Sequence, residues 1–282
     1  MKTIIQHILF KTNLSEQEAW WMIEHITNKN RAILLHASAL SLSQRELETI
    51  DLWIQKLSQE FIPLSYLLGS VPFLDLTIHV RQPILIPRQE TEEWIACLIQ
   101  ELEPHTQNIP NILEIGTGSG CIALALAKAF PQSMVTAVDI NPEALKLAQE
   151  NADFNKISNV KFALSDLFNG LKTKDFLFDL IVSNPPYIDS IHKKTMMPQV
   201  IQWEDEHALF AKDEGLFLIT EIIKQTPKYL KSQPSLPYQL ILEHDNGQQE
   251  QIKKFANENN FTCESKKDLF GNWRTSWCKF IN

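Results

Sequence analysis

Three of the chain's 8 glycines stand at alternate positions in Leu113-Glu114-Ile115-Gly116-Thr117-Gly118-Ser119-Gly120-Cys121-Ile122-Ala123. Glycine is far below its usual share of ~7% in this 282-residue chain, so the clustering does not follow from composition. The residues ahead of it, Asn111 to Ile115, read as a short buried strand, and Ile122 onward reads as an Ala/Leu helix. A glycine-rich turn between a strand and a helix lets the backbone fold back sharply and approach a ligand closely. The spacing is G-x-G-x-G. The dinucleotide fingerprint requires a third glycine one position later, where Cys121 stands.

The following segments extend the same pattern. Ser133 to Asp139 reads as a second strand ending in an acid, about 20 residues past the loop, where an acid commonly accepts hydrogen bonds from ribose hydroxyls. Asn141 is a good helix N-cap and Pro142 a good first helical residue. Val160 to Leu164 is a third strand, followed by Ser165-Asp166-Leu167-Phe168. Asp179 to Ser183 is a fourth, stopped by Asn184-Pro185-Pro186-Tyr187. Strands alternating with helices predict an α/β fold whose strand exits converge on one edge of a parallel sheet, where ligands of such sheets bind.

The stop after the fourth strand has its own chemistry. Pro185 and Pro186 lack backbone N–H donors but keep their carbonyls, and a residue before proline is driven to an extended conformation. Asn184 and Pro185 therefore form a stiff corner rich in acceptors, bordered by the Tyr187 ring. Such a corner suits a planar –NH2 group with two hydrogens to place.

Hydrophobic residues make up 44% of the chain and charged residues 21%, which describes a folded protein with a sizeable core. A net charge of −8 argues against a surface that holds duplex phosphates. The four cysteines, Cys97, Cys121, Cys263 and Cys278, show no C-x-x-C spacing and are expected to be reduced, in a cytoplasmic protein. The apolar start, Met1 to Phe10, is broken by Gln6 and His7; it is a poor secretory segment and a plausible amphipathic helix. No stretch reaches the ~20 apolar residues that span a bilayer.

Residues 1–70 read as successive helices. Ser15 with Glu18 and Ser43 with Glu46 are capping boxes, and Trp20, Trp21 and Trp53 are expected in the core or its rim. Six basic and seven acidic side chains give this segment no nucleic-acid-binding character. It is expected to be a helical substrate-recognition domain. Residues 71–88 are expected to be a β-hairpin linker, and residues 89–282 the α/β domain that carries the glycine turn. Residues 188–215 are expected to be a polar loop forming a lid or substrate wall. Gly215 to Tyr229 and Gln248 to Asn259 are expected helices, Pro237 to Glu243 a strand. Phe261–Cys263 and Ser276–Ile281 are expected as antiparallel last strands.

Together the glycine loop, Asp139, Asp166 and Asn184–Tyr187 resemble class I S-adenosylmethionine-dependent methyltransferases that modify amino or amide nitrogens. Tyr66-x-x-Gly69 and Leu85-Ile86-Pro87-Arg88-Gln89-Glu90-Thr91-Glu92 sharpen the resemblance to protein-(glutamine-N5) methyltransferases acting on peptide-chain release factors. It covers nearly the whole chain. The fold implied is a helical bundle joined by a hairpin arm to a Rossmann-like domain with a mostly parallel seven-stranded sheet. The cofactor implied is S-adenosyl-L-methionine, with S-adenosyl-L-homocysteine as product. The partner implied is a release factor, with no stable nucleic-acid or membrane binding, and the protein is expected to be a monomer.

By the same resemblance, Asn184 Oδ1 and the Pro185 carbonyl accept the two hydrogens of a glutamine amide. Pro186 stiffens the corner and Tyr187 packs on the amide plane. Gly116, Thr117, Gly118, Ser119 and Gly120 pass the methionine part of the cofactor, which Asn184 also borders. Asp139 takes the ribose, and Asp166 and Leu167 flank the adenine. Glu114 steadies the loop or meets the methionine ammonium through water. No metal ligand is implied, and His192, His207 and His244 are expected on the surface or substrate wall. The chain departs from the family pattern at Ala211-Lys212, His244-Asp245, Gln89 and Trp273, which bears on the substrate wall. The rival readings are an adenine-N6 or cytosine-N4 nucleic-acid methyltransferase, which shares the four-residue corner but not the Leu85–Glu92 stretch, a small-molecule or other protein methyltransferase, and a non-enzymatic cofactor-binding protein, for which a broken corner would be expected.

Overall fold

The computed structural model describes residues 1–36, 42–171, 177–231 and 235–281. The N-terminal helices are α1 (Lys2–Lys11), α2 (Glu16–Thr27), α3 (Arg31–His36), α4 (Gln44–Gln59) and α5 (Leu64–Leu68). A hairpin, β1 (Ser70–Phe73) and β2 (Leu76–His79), leads to α6 (Gln89–Leu102). Then come β3 (Asn111–Ile115), α7 (Cys121–Ala129), β4 (Met134–Asp139), α8 (Pro142–Asn155), β5 (Val160–Leu164) and β6 (Leu180–Ser183). After β6 follow β7 (Ile188–Asp189), α9 (Pro198–Trp203), β8 (Phe210–Ala211), α10 (Phe217–Gln225), β9 (Leu240–Glu243), α11 (Gln249–Glu258), β10 (Phe261–Lys267) and β11 (Trp273–Phe280).

The chain divides into two compact units. One comprises Met1–Ser70 with Met197–Trp203; the other comprises Val71–Met196 with Glu204–Asn282. In the first unit, α2 and α4 begin with the capping boxes the sequence predicts. The Ser15 and Ser43 hydroxyls accept from the backbone of Glu18 and Glu46, whose carboxylates return to the serine N–H groups. Ile5, Ile8, Trp20, Ile23, Ile50 and Ile54 form its core. Each such buried side chain stabilises the unit by roughly 1.5–3 kcal/mol. Trp21 lies at the rim, 41% exposed. The Trp203 indole N–H donates to the Glu60 carbonyl at 2.9 Å and ties α9 into this unit.

The expected polar loop over 188–215 is therefore not what forms. The segment holds β7, α9, β8 and short 3₁₀ turns, and residues 197–203 belong with the helical unit. Pro198 at the first helical position starts α9, but six residues are too few to display a helical period in the sequence.

The second unit is built on a seven-stranded sheet of order β10-β11-β9-β6-β3-β4-β5, parallel except where β11 pairs with β9 and β10. Residues 112–115, 180–183 and 240–243 are buried throughout, as expected for central strands covered on both faces. Ile115 lies beside both Val138 and Ser183, and Asp139 beside Leu164. The register thus brings the exits of β3, β4, β5 and β6 to one edge. The β1–β2 hairpin docks on α8. Asn151, fully buried, accepts from His79 N at 2.7 Å and donates to the His79 and Ser119 carbonyls, joining the hairpin to the glycine turn.

One expectation about the cysteines is corrected. Cys263 and Cys278 stand directly opposite each other on β10 and β11 and form a disulfide, whereas Cys97 and Cys121 are free. Antiparallel pairing brings two residues 15 apart in sequence face to face, which no C-x-x-C pattern registers. No helix among the described residues is long and apolar enough to cross a membrane.

Candidate active site

The turn after β3 is set from below by Glu114. Its Oε2 accepts from the Thr117 hydroxyl at 2.6 Å and from Ala123 N at 3.0 Å. Its Oε1 is buried and has no hydrogen-bond partner among the described residues. Burial outweighs the two donors and pushes the carboxyl up to about 7. Glu114 therefore steadies the loop, one of the two roles the sequence left open. Thr117 and Ser119 are buried behind the turn, not on its open side.

Gly116 and Gly118 line a cavity of about 370 Å³, and both hold left-handed backbone, with φ of +75° and +55°. A Cβ at Gly118 would meet no protein atom within 4 Å, and one at Gly116 would stand 3.9 Å from the Asn184 carbonyl oxygen. Gly120 plays a different part. It precedes α7, and a Cβ there would lie 2.9 Å from that of Ala148, so it serves close helix packing and does not line the cavity.

Asp139 ends β4 at the cavity wall. Its Oδ2 accepts from Gly118 N and its Oδ1 from Asn141 N, both at 2.8 Å, which locks the first two strand exits together. Burial raises its pKa despite these donors. Asp166 and Leu167 line the cavity as well, Leu167 with a φ of +48°. Ile140, 64% exposed, and Phe217 add apolar wall that the sequence reading missed. The position of Ile140 directly after the strand-ending acid was the available signal. The volume of the cavity and its mostly apolar lining suit a cofactor-sized molecule.

On the far side, Asn184, Pro185 and Pro186 border the same cavity. The corner is anchored on its strand by the Ser183 hydroxyl, which donates to the Ile115 carbonyl at 2.7 Å. Behind it lies a polar network absent from the sequence reading. The Asn184 Nδ2 donates to Thr91 Oγ1 at 3.2 Å, and Thr91 Oγ1 donates to Glu243 Oε2 at 2.7 Å. The Trp94 indole donates to the same Oε2 at 2.7 Å, and the Tyr187 hydroxyl donates to Oε1 at 3.1 Å. Glu243, at the end of β9, is 1% exposed, and burial raises its pKa against three donors. Burial and the adjacent Glu243 hold the Tyr187 phenol well above its usual range. A Glu ending a strand edged by Leu and Ile was the sequence signal for a buried, partnered acid.

The Leu85–Glu92 stretch acquires definite contacts. Arg88 pairs with the buried Glu204 at 2.5 Å, Thr91 carries the network just described, and Glu92 accepts from Leu74 N at 2.7 Å at the tip of the β1–β2 hairpin. Of the family departures, Ala211 and Lys212 line the cavity. His244 is fully buried with its Nδ1 against the Asp245 carbonyl, which corrects the expectation of a surface or wall position. His192 and His207 lie at the exposed positions expected, and His207 borders the cavity.

This sheet order, with a cavity at the carboxyl edge between a glycine turn and the Asn184–Pro186 corner, which Tyr187 backs without lining the cavity, defines a class I methyltransferase fold. The Methyltransferase domain family matches residues 108–267. A solved methyltransferase from Pyrococcus furiosus shares the fold, with a TM-score of 0.51 at 22% identity over 74% of this chain and 91% of that one. The release factor glutamine methyltransferase of Fusobacterium nucleatum is 36% identical over 90% of this chain and 70% of its own length. That of Aliivibrio fischeri is 32% identical over 100% of this chain and 96% of its own. The chain belongs to the release factor glutamine methyltransferase family.

Proposed function

We propose that the protein transfers a methyl group from S-adenosyl-L-methionine to the side-chain amide nitrogen (N5) of the glutamine in the Gly-Gly-Gln motif of peptide-chain release factors. The observation that carries this reading is the acceptor corner, Asn184 and Pro185, bordering the same cavity as Gly116 and Asp139.

The residues present fit the cofactor. Gly118 keeps side-chain volume out of the cavity, Asp139 offers carboxylate oxygens at its wall, and Ile140 and Phe217 offer apolar surface for a base. When bound, S-adenosyl-L-methionine supplies a methyl group made electrophilic by its sulfonium. We assign Gly116 and Gly118 to the methionine part, Asp139 to the ribose, and Asp166 and Leu167 to the adenine. Thr117, Ser119 and Gly120 act from behind, by holding the turn.

An amide nitrogen is a poor nucleophile because its lone pair is conjugated with the carbonyl. Asn184 Oδ1 and the Pro185 carbonyl take its two hydrogens, and Tyr187, anchored by its hydroxyl on Glu243, bounds the amide plane. Fixing a nucleophile in line can lower a barrier by roughly 7–11 kcal/mol in the best intramolecular cases. Acceptors directed at charge that grows on nitrogen add a preorganised electrostatic contribution. Pro185 and Pro186 cannot donate, so no backbone N–H of theirs competes for either acceptor. The helical unit, with the hairpin as its linker, is assigned to recognition of the protein substrate, and the reading implies a cytoplasmic, monomeric enzyme.

The test is to incubate the protein with methyl-labelled cofactor and either a release factor or duplex DNA. Label entering the factor, and lost when its Gly-Gly-Gln glutamine is replaced, is the expected result. Label entering DNA instead would overturn the substrate assignment.

A further inference from the structure

We infer that Thr91 and Glu243 form a positioning relay that fixes which end of the Asn184 carboxamide faces the substrate. The inference deepens the proposed reaction and rests on that reading for its catalytic consequence. A primary carboxamide is nearly two-fold symmetric in shape, so the pocket around Asn184 would accept it with either the oxygen or the NH2 turned outward. The two orientations are opposite in chemistry. An outward Oδ1 grips an incoming N–H; an outward Nδ2 meets it donor against donor.

The direction of three hydrogen bonds removes the ambiguity. The Trp94 indole can only donate, and Glu243 Oε2 accepts it; as the carboxylate, or with a proton on Oε1, Glu243 has no hydrogen on Oε2 to return to Thr91. Thr91 has a single hydroxyl proton, and at 2.7 Å it is given to that same Oε2. What Thr91 turns toward Asn184, 3.2 Å away, is therefore a lone pair. Only Nδ2 satisfies it, and Oδ1 is left at the other end of the amide. The relay joins three separate elements, α6, the exit of β9 and the exit of β6, so the polarity of the corner is set by the tertiary fold and not by the Asn-Pro-Pro-Tyr sequence alone. Glu243 and Thr91 touch neither reacting atom; they act through Asn184.

The experiment uses the full-length protein with Thr91→Val, which keeps the shape of threonine but has no hydroxyl, and Thr91→Ser, which restores it. Three quantities are read: kcat and KM on a release factor, affinity for S-adenosylhomocysteine, and hydrogen-exchange protection of the Asn184 side-chain amide in ¹⁵N-asparagine-labelled protein. The Asn184 resonance is assigned by its absence in Asn184→Ala. Thr91→Val is expected to lower kcat by roughly 10- to 100-fold, to leave KM and S-adenosylhomocysteine affinity within about threefold, and to abolish the protection. Thr91→Ser is expected to recover both kcat and protection. Glu243→Gln, whose oxygen can still serve Trp94 and Thr91, is expected to retain the protection. Unchanged protection in folded Thr91→Val overturns the relay, as does a kcat within twofold of the parent. Should the valine variant not fold, Thr91→Ala is read in the same way. A parent protein that fails to methylate the factor overturns the substrate reading, while the amide measurement still decides the relay.

Discussion

At the residue scale, the side chain that matters most is Asn184, because its Oδ1 is the one side-chain acceptor of the corner, beside the Pro185 carbonyl. Asn184→Ala is expected to cut kcat by ~10² or more while S-adenosylhomocysteine affinity stays within a few-fold, measured by single-turnover kinetics and calorimetry. Turnover close to that of the parent would remove Asn184 from the chemistry. Glu114 gives a second prediction, in pH. Its folded-state pKa of about 7 lies above its ordinary value of 4.5, so the folded protein binds more protons than the unfolded chain between those limits. The contribution is fully present below about pH 4.5 and is lost as pH rises through about 7, by roughly 3 kcal/mol. Glu114→Gln is expected to flatten that fall in denaturant midpoints taken across the range. An unchanged slope would assign the pH dependence to other groups. Asn184 and Asp139 were legible in the sequence because each ends a strand beside a turn signal. Thr91, Trp94 and Glu243 were not legible as a set, because hydrogen bonds between residues 152 and 149 apart leave no local pattern.

At the scale of elements, the turn before α10 supports the corner from beneath. Gly215 has a φ of +83°, and a Cβ there would fall 1.9 Å from the Tyr187 carbonyl oxygen. Gln248 Nε2 donates to that same carbonyl and to Glu214 O, clamping the two segments. Gly215→Ala is expected to lower both Tm and kcat, the latter by at least tenfold, because backbone must move under Tyr187. Gly118→Ala is the contrasting case. Its Cβ meets no protein atom, so little beyond the left-handed backbone cost of roughly 1–2 kcal/mol is expected in stability, with a clear loss of S-adenosylhomocysteine affinity. Equal effects of the two substitutions on affinity would separate the glycine turn from cofactor binding. The elements themselves were largely readable. Capping boxes, the Asn141–Pro142 helix start and the runs of β3, β4, β5 and β6 are all local signals. The region 188–215 was misread because β7 and β8 have two residues each and α9 six, too short for periodicity to register. The Cys263–Cys278 disulfide needed the register of β10 on β11, which depends on a turn the strand propensities do not specify.

At the scale of the whole molecule, family membership rests on similarity that runs along nearly the whole chain, and not on one motif. The balance of charge, −8, is part of the same argument. A nucleic-acid enzyme of this fold would need a cationic track, and retention on duplex DNA is expected to be weak and non-specific at moderate salt. Tight retention would reopen the base-methylation reading. The α9 segment has a bearing on durability. Since residues 197–203 belong with Met1–Ser70, the polypeptide passes from one unit to the other at three points, not one. A fragment that ends at Ser70 would thus lack residues 197–203, and is expected to melt at a lower temperature than the same helices in the intact chain.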